Sequence, residues 1–174
     1  MAVFNTIRAG RKKEGYMENL IHNMYTDERV LFRQGYGVLD ETEEKVVYSF
    51  YSVRNAYYKI NQIKVHYMEI YVEYEFKLVD VVELAKNLAY CLYKYGFQTL
   101  VACIDTGNGY MIAVAVNAVS YVDGRLFHDN NAQYWAIYQY LRSCAPIGLS
   151  LTASENTFFP PRMENNNYVH GTLS

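Results

Sequence analysis

The sequence predicts an α+β fold: an antiparallel sheet with helices packed against it, built around a ferredoxin-like core. Three observations lead there. Lys64 to Phe76 alternates strictly, with His66, Met68, Ile70, Val72, Tyr74 and Phe76 on one side and Tyr67, Glu69, Tyr71, Glu73 and Glu75 on the other, the period of a strand. The period then changes to that of a helix, where Leu84, Leu88, Cys91, Leu92 and Tyr95 form a stripe that stops at Gly96. From Lys64 onward the order reads strand, helix, strand, strand, helix, strand, the split arrangement of ferredoxin-like domains.

The elements follow in chain order. Ala2 to Ile7 alternates weakly and reads as a strand that runs into a basic turn around Gly10. A helix from about Glu14 to Met24 places Met17, Leu20, Ile21 and Met24 on one face. Val30-Leu-Phe is a short extended piece, and Gly35-Tyr-Gly37 punctuates a loop. Asp40, Glu41, Glu43 and Glu44 open a helix that continues to about Tyr58, acids in a first turn complementing the helix dipole. Asp80 and Glu83 have the spacing of a capping box for the next helix. Leu100 to Ile104 is apolar throughout and reads as a strand buried on both faces. The Asp105–Gly109 turn joins it to a strand from Tyr110 to Val119, making a central hairpin. A helix from about Asn131 to Ser143 and a closing strand over Ile147 to Leu151 complete one domain, residues 1–152, with its core at 64–152. Residues 153–174 read as a polar tail containing the Phe158-Phe159 pair.

Composition narrows the function. The chain has 174 residues, 51% of them hydrophobic and 20% charged, with a formal charge of −2. That excludes a disordered chain and a strong global attraction to nucleic acid. No apolar run approaches the ~18 residues of a membrane span, and the first residues lack a signal-peptide core, so the expectation is a soluble cytoplasmic protein with no membrane partner. Cys91, Cys103 and Cys144 form no C-x-x-C pair, so free thiols are expected rather than a zinc ribbon or a dithiol site. The outlier is 19 tyrosines, a residue suited both to half-buried sheet surfaces and to contact with partners.

Two stretches between Lys64 and His128 carry a likeness to a known family. His66-Tyr-Met-Glu-Ile lies on the first of its strands, and Asn117-Ala-Val-Ser-Tyr-Val-Asp-Gly-Arg-Leu-Phe-His128 is similar to an N-x-V-x-F-x-x-G-x-x-F-H pattern, with Tyr121 at the first aromatic position. With Val82–Ala89, Val101–Asp105 and Glu18–Tyr25, they make the chain resemble the relaxases, the HUH-type mobilisation nucleases of plasmids and other mobile elements. The resemblance implies a relaxase-like sheet, a bacterial host cell and a site at which a helix-borne tyrosine attacks a DNA phosphodiester. It also implies a divalent metal held by three histidines at alternating strand positions. Counted back from Asn117, those positions are Gly109, Met111 and Ala113. None of the three is a ligand for a hard cation, so neither a metal nor another cofactor is expected. The tyrosine register falls on Asn23, with Tyr25 two residues on.

Candidate site residues divide into three groups. Tyr25, His66 and His128 are the candidates for catalysis, the two histidines as a general acid and base in a metal-independent ribonuclease. Arg8, Arg11, Lys12, Lys13, Arg29 and Arg125 are the candidates for phosphate contacts with DNA or RNA. Tyr67, Glu69, Tyr71, Glu73 and Glu75 make an acidic aromatic stripe suited to a basic protein surface. The leading expectation is a degenerate relaxase-like protein that binds nucleic acid or a nucleoprotein complex. Two alternatives stand beside it: an inhibitor of a host defence nuclease, of the anti-CRISPR or anti-restriction type, and the ribonuclease.

Overall fold

A computed structural model describes residues 1–154; Ala153 and Ser154, expected in the tail, belong to the sheet edge, with Ala153 in the last strand and Ser154 N donating to Phe4 O, and residues 155–174 with the Phe158-Phe159 pair lie outside the described residues. The fold is α+β, with a six-stranded, mostly antiparallel sheet and helices on both sides. In chain order the elements are β1 (Ala2–Ile7), α1 (Tyr16–Thr26), β2 (Val30–Tyr36), α2 (Glu43–Ala56), β3 (Val65–Glu73) and α3 (Leu78–Lys94). They continue with β4 (Thr99–Asp105), β5 (Gly109–Asn117), α4 (Asn131–Cys144) and β6 (Leu151–Ala153). The strand order is β2-β4-β5-β3-β1-β6, and only the β1–β6 pair is parallel.

The ferredoxin-like expectation corresponds to β4, β5, β3 and β6, with one change: β1 is inserted between β3 and β6. The N-terminal segment therefore extends that sheet at two places, β2 outside β4 and β1 inside β6. It also supplies a second helical layer. Met68, Ile70, Val114 and Val116 meet Leu84, Leu88, Ile137 and Leu141 of α3 and α4. On the opposite face Ala102, Ala113 and Ala115 meet Met17, Ile21, Val46 and Phe50 of α1 and α2.

Several boundaries differ from expectation for local reasons. β2 runs on to Tyr36, because pairing with β4 carries it through Gly35 up to Tyr36 opposite Thr99. A Cβ at Gly35 would lie 2.3 Å from Val38 Cγ2, so glycine lets the following loop fold back on the strand. β3 stops at Glu73, which frees Tyr74 from the inward face, and its hydroxyl donates to Asp105. α3 begins at Leu78 with no side-chain cap, so Asp80 sits inside the first turn and acts on the dipole rather than as the cap. The closing strand begins at Leu151, where it was expected to end, and Ile147 is fully exposed. Thr42 and Asn130 cap α2 and α4 by accepting from Lys45 N and Gln133 N.

The family-like Asn117 has a structural task. Its side chain is fully buried; the amide donates to Phe50 O at 3.2 Å and Gln98 Oε1 at 2.8 Å, and its carbonyl accepts from Val119 N at 3.1 Å. One residue thus joins α2, the entry to β4 and the exit of β5. Replacing Asn117 by Ala strands these buried partners, and we expect urea unfolding to show a loss of about 3 kcal/mol.

Candidate functional site

Three surfaces carry the residues singled out from the sequence, and the fold keeps them apart. The first is the α1 side of β5. Ala113 is buried beneath α1 and α2, Met111 packs against the same cluster, and Gly109 has the same parity at the start of the strand. A Cβ at Gly109 would lie 2.3 Å from the carbonyl oxygen of Val72 on β3. The β3 backbone thus closes on Gly109 and the helices cover Ala113, two of the three positions at which the resemblance would place metal ligands. Neither the residue types nor the space fit a divalent ion, and among the described residues no group of three His, Cys, Asp or Glu side chains is placed to hold one.

Tyr25 lies in the same helical layer, but it is turned toward the β2 edge. Its hydroxyl donates to Asp40 O at 2.6 Å, and the Arg33 guanidinium sits 3.7 Å from the ring centroid. Burial raises the phenol pKa, against the opposing pull of Arg33, which disfavours the phenolate a nucleophile needs. Asn23, the register position, is exposed.

The second surface is the β1–α1 turn. Arg8, Gly10, Arg11, Lys12 and Lys13 surround a shallow depression of about 240 Å³. Asp129, in the loop before α4, holds this turn in place. It accepts from Arg8 Nε at 3.3 Å and Tyr134 Oη at 2.9 Å and pairs with Arg11 Nη1 at 2.5 Å. Burial opposes its ionisation, but the Tyr134 hydroxyl and the Arg11 guanidinium outweigh that and hold its pKa below the ordinary value. Lys12 and Lys13 are exposed, and no ion pair among the described residues includes them. Asp129 and Tyr134 were not foreseen from the sequence. Their nearest local signal is the Phe127-His128 run, and the two arginines lie some 120 positions away along the chain.

His66 lies behind this turn, on the α3/α4 side of the sheet and 4% exposed. Its ring centroid is 4.9 Å from that of Phe127, and its Nδ1 is buried without a hydrogen-bond partner among the described residues. Burial, together with the charges of Arg11 and Arg8 and against that of Asp129, lowers its pKa to about 4. His128 follows Phe127 but is exposed. Tyr25 and His66 thus lie on opposite faces of the sheet, while His128 faces solvent.

The other predicted basic residues are dispersed. Arg29 is at the opposite end of the sheet and forks onto Asp27 at 2.8 and 3.0 Å. Arg125 shares the end of the β1–α1 turn, but it pairs with Asp123 at 2.6 Å, donates to Tyr95 O and lies over Phe97. The thiols of Cys91, Cys103 and Cys144 are all free, and burial raises the pKa of each, Cys103 to about 12.

The third surface is the part of the α1/α2 face that those helices leave uncovered among the described residues. It holds Glu69 and Tyr71, with Tyr67 at the helical border. Tyr71 Oη donates to Glu69 Oε2 at 2.8 Å, and Glu73 and Glu75 take the N-terminal ammonium at 2.8 and 2.7 Å. Burial, reinforced by the Glu69 carboxylate, raises the Tyr67 pKa, and the Tyr71 pKa goes up to about 12 for the same two reasons.

Two outcomes follow. His66 is neutral in the fold and prefers a proton in the unfolded chain, so its contribution is complete above its unfolded pKa of about 6.5 and declines as pH falls toward 4. Wild type is expected to lose about 2 kcal/mol of this contribution between pH 7 and pH 5, a slope flattened in His66→Leu. Gly109→Ala is expected to cost about 2 kcal/mol in the same denaturation assay, because strand backbone must move. No family model, no curated protein and no solved structure matches the chain.

Proposed function

We propose that this chain is a relaxase-like protein that binds single-stranded nucleic acid through its β1–α1 turn and does not nick it. The observation that carries the reading is the closed β5 surface. α1 lies over β5 with its Tyr25 turned toward the β2 edge, the β3 backbone closes on Gly109, Ala113 is buried beneath the helices, and the half-buried Met111 between them offers no donor for a hard cation. Chemistry that depends on a metal at that strand has neither donors nor room.

The binding half of the proposal rests on the turn. Arg8 and Arg11 are anchored by Asp129, so the backbone between them is held, and Lys12 and Lys13 project from it without an anion of their own. A preset cationic turn contacts phosphates with little ordering cost. Counterion release then makes the affinity fall with salt. Because net charge is −2, the contact is local, and the slope measures how many phosphates are engaged.

Fluorescence anisotropy with a labelled oligothymidylate of about 12 nucleotides tests this. If Arg8, Arg11, Lys12 and Lys13 each meet a phosphate, the slope of log affinity against log salt is about −3, and Lys12→Ala with Lys13→Ala reduces it by about 1.4. No binding at about 20 mM salt, an unchanged slope in the double variant, or strand cleavage with magnesium or manganese would each overturn the reading.

A further inference from the structure

Among the described residues, the α1/α2 layer covers only part of its side of the sheet. Helices lie over β4, β5 and the first residues of β3, where alanines allow close approach. Beyond them two rows remain. One runs Thr152, Val3, Tyr71, Met111 across four strands, and the next pairs Asn5 with Glu69. Tyr71 is 40% exposed, Val3, Asn5 and Met111 are half-buried, and Thr152 is open to solvent.

At the centre of this bare face stands Glu69. Its carboxylate accepts from the Tyr71 hydroxyl, while Tyr67 and Tyr16 are close enough for its charge to raise both phenols. No Lys, Arg or His nitrogen among the described residues pairs with it. Glu73 and Glu75 stand farther along the same side and share a single ammonium. Three carboxylates against one cation give this face a charge of −2, which repels phosphate and attracts cations.

We propose that the bare face is a docking surface for a basic protein segment, with an arginine seated between Tyr71 and Glu69. Arginine suits the place better than lysine. Its planar guanidinium stacks on an exposed phenol ring and donates two N–H groups to one carboxylate, whereas an ammonium is a hydrated point charge. The half-buried Val3 and Met111 supply the apolar border that strengthens such a contact by excluding water. Tyr16, beside Gly10 of the β1–α1 turn and within range of the Glu69 charge, marks the border between this surface and the turn, and the inference does not depend on nucleic-acid binding at the turn.

The probes are labelled peptides of about nine arginines or nine lysines, measured by anisotropy against the full chain. The arginine peptide is expected to bind several-fold more tightly than the lysine peptide. Glu69→Gln is expected to weaken the arginine peptide about tenfold and Tyr71→Ala about threefold, both approaching the lysine value. Glu69→Gln keeps an oxygen for the Tyr71 hydroxyl, and Tyr71→Phe, which keeps the ring, should retain most of the binding; matching thermal midpoints show that these variants fold. Equal affinity for the two peptides would overturn the proposal, as would arginine binding unaffected by Glu69→Gln. Competition by oligothymidylate for the face, or self-association of the chain that Glu69→Gln abolishes, would also overturn it by naming a different occupant.

Discussion

Burial of the β4–β5 hairpin on both faces is the constraint on which the rest of the structure depends. Residues 100–104 and 112–116 have virtually no contact with solvent. Their side chains alternate between two helical layers: Val101, Cys103, Ile112, Val114 and Val116 toward α3 and α4, and Ala102, Ala113 and Ala115 toward α1 and α2. The small side chains on the second face let Met17, Ile21 and Phe50 come down onto the strands, at a packing density that resists any added volume. Asn117 secures the end of the hairpin by filling its hydrogen bonds from three different segments.

That packing governs what the site can do. A histidine in place of Ala113 would have to displace helices, and any side chain at Gly109 would meet the backbone of Val72. At these two positions the space that a ligating side chain would need is occupied by the fold itself. Exposed backbone and side chains lie instead at the sheet's periphery: the turn beyond β1 and, among the described residues, the uncovered rows of β1 and β3. The two places have opposite charge, and each is set by a carboxylate. Asp129 is saturated by two arginines and a tyrosine and stiffens its loop, whereas Glu69 is bonded only to phenol.

His66 shows how a residue that suggests chemistry can be held for packing. Its inward parity on β3 is legible as alternation, and the structure places it there, against Phe127. Its low pKa follows from burial beside Arg11 and Arg8, so it remains neutral near pH 7 and its ring packs as an aromatic. The adjacent pair Phe127-His128 divides its roles by side-chain direction, with phenylalanine packed inward and histidine exposed.

The sequence by itself determined the α+β class, the strand–helix–strand–strand–helix–strand order and the inward parity of β3, because period and burial are local properties of a few consecutive residues. It also determined that Gly109, Met111 and Ala113 lack hard-cation donors, since that is a matter of side-chain chemistry. Only the tertiary structure decided that β1 inserts between β3 and β6, that Asp129 clamps Arg8 and Arg11, and that Tyr25 turns toward Asp40 rather than β5. It likewise decided that, among the described residues, part of one sheet face is left uncovered around Glu69. Each of these depends on segments far apart in the chain meeting in space, and neither local propensity nor periodicity carries information about which partners they meet.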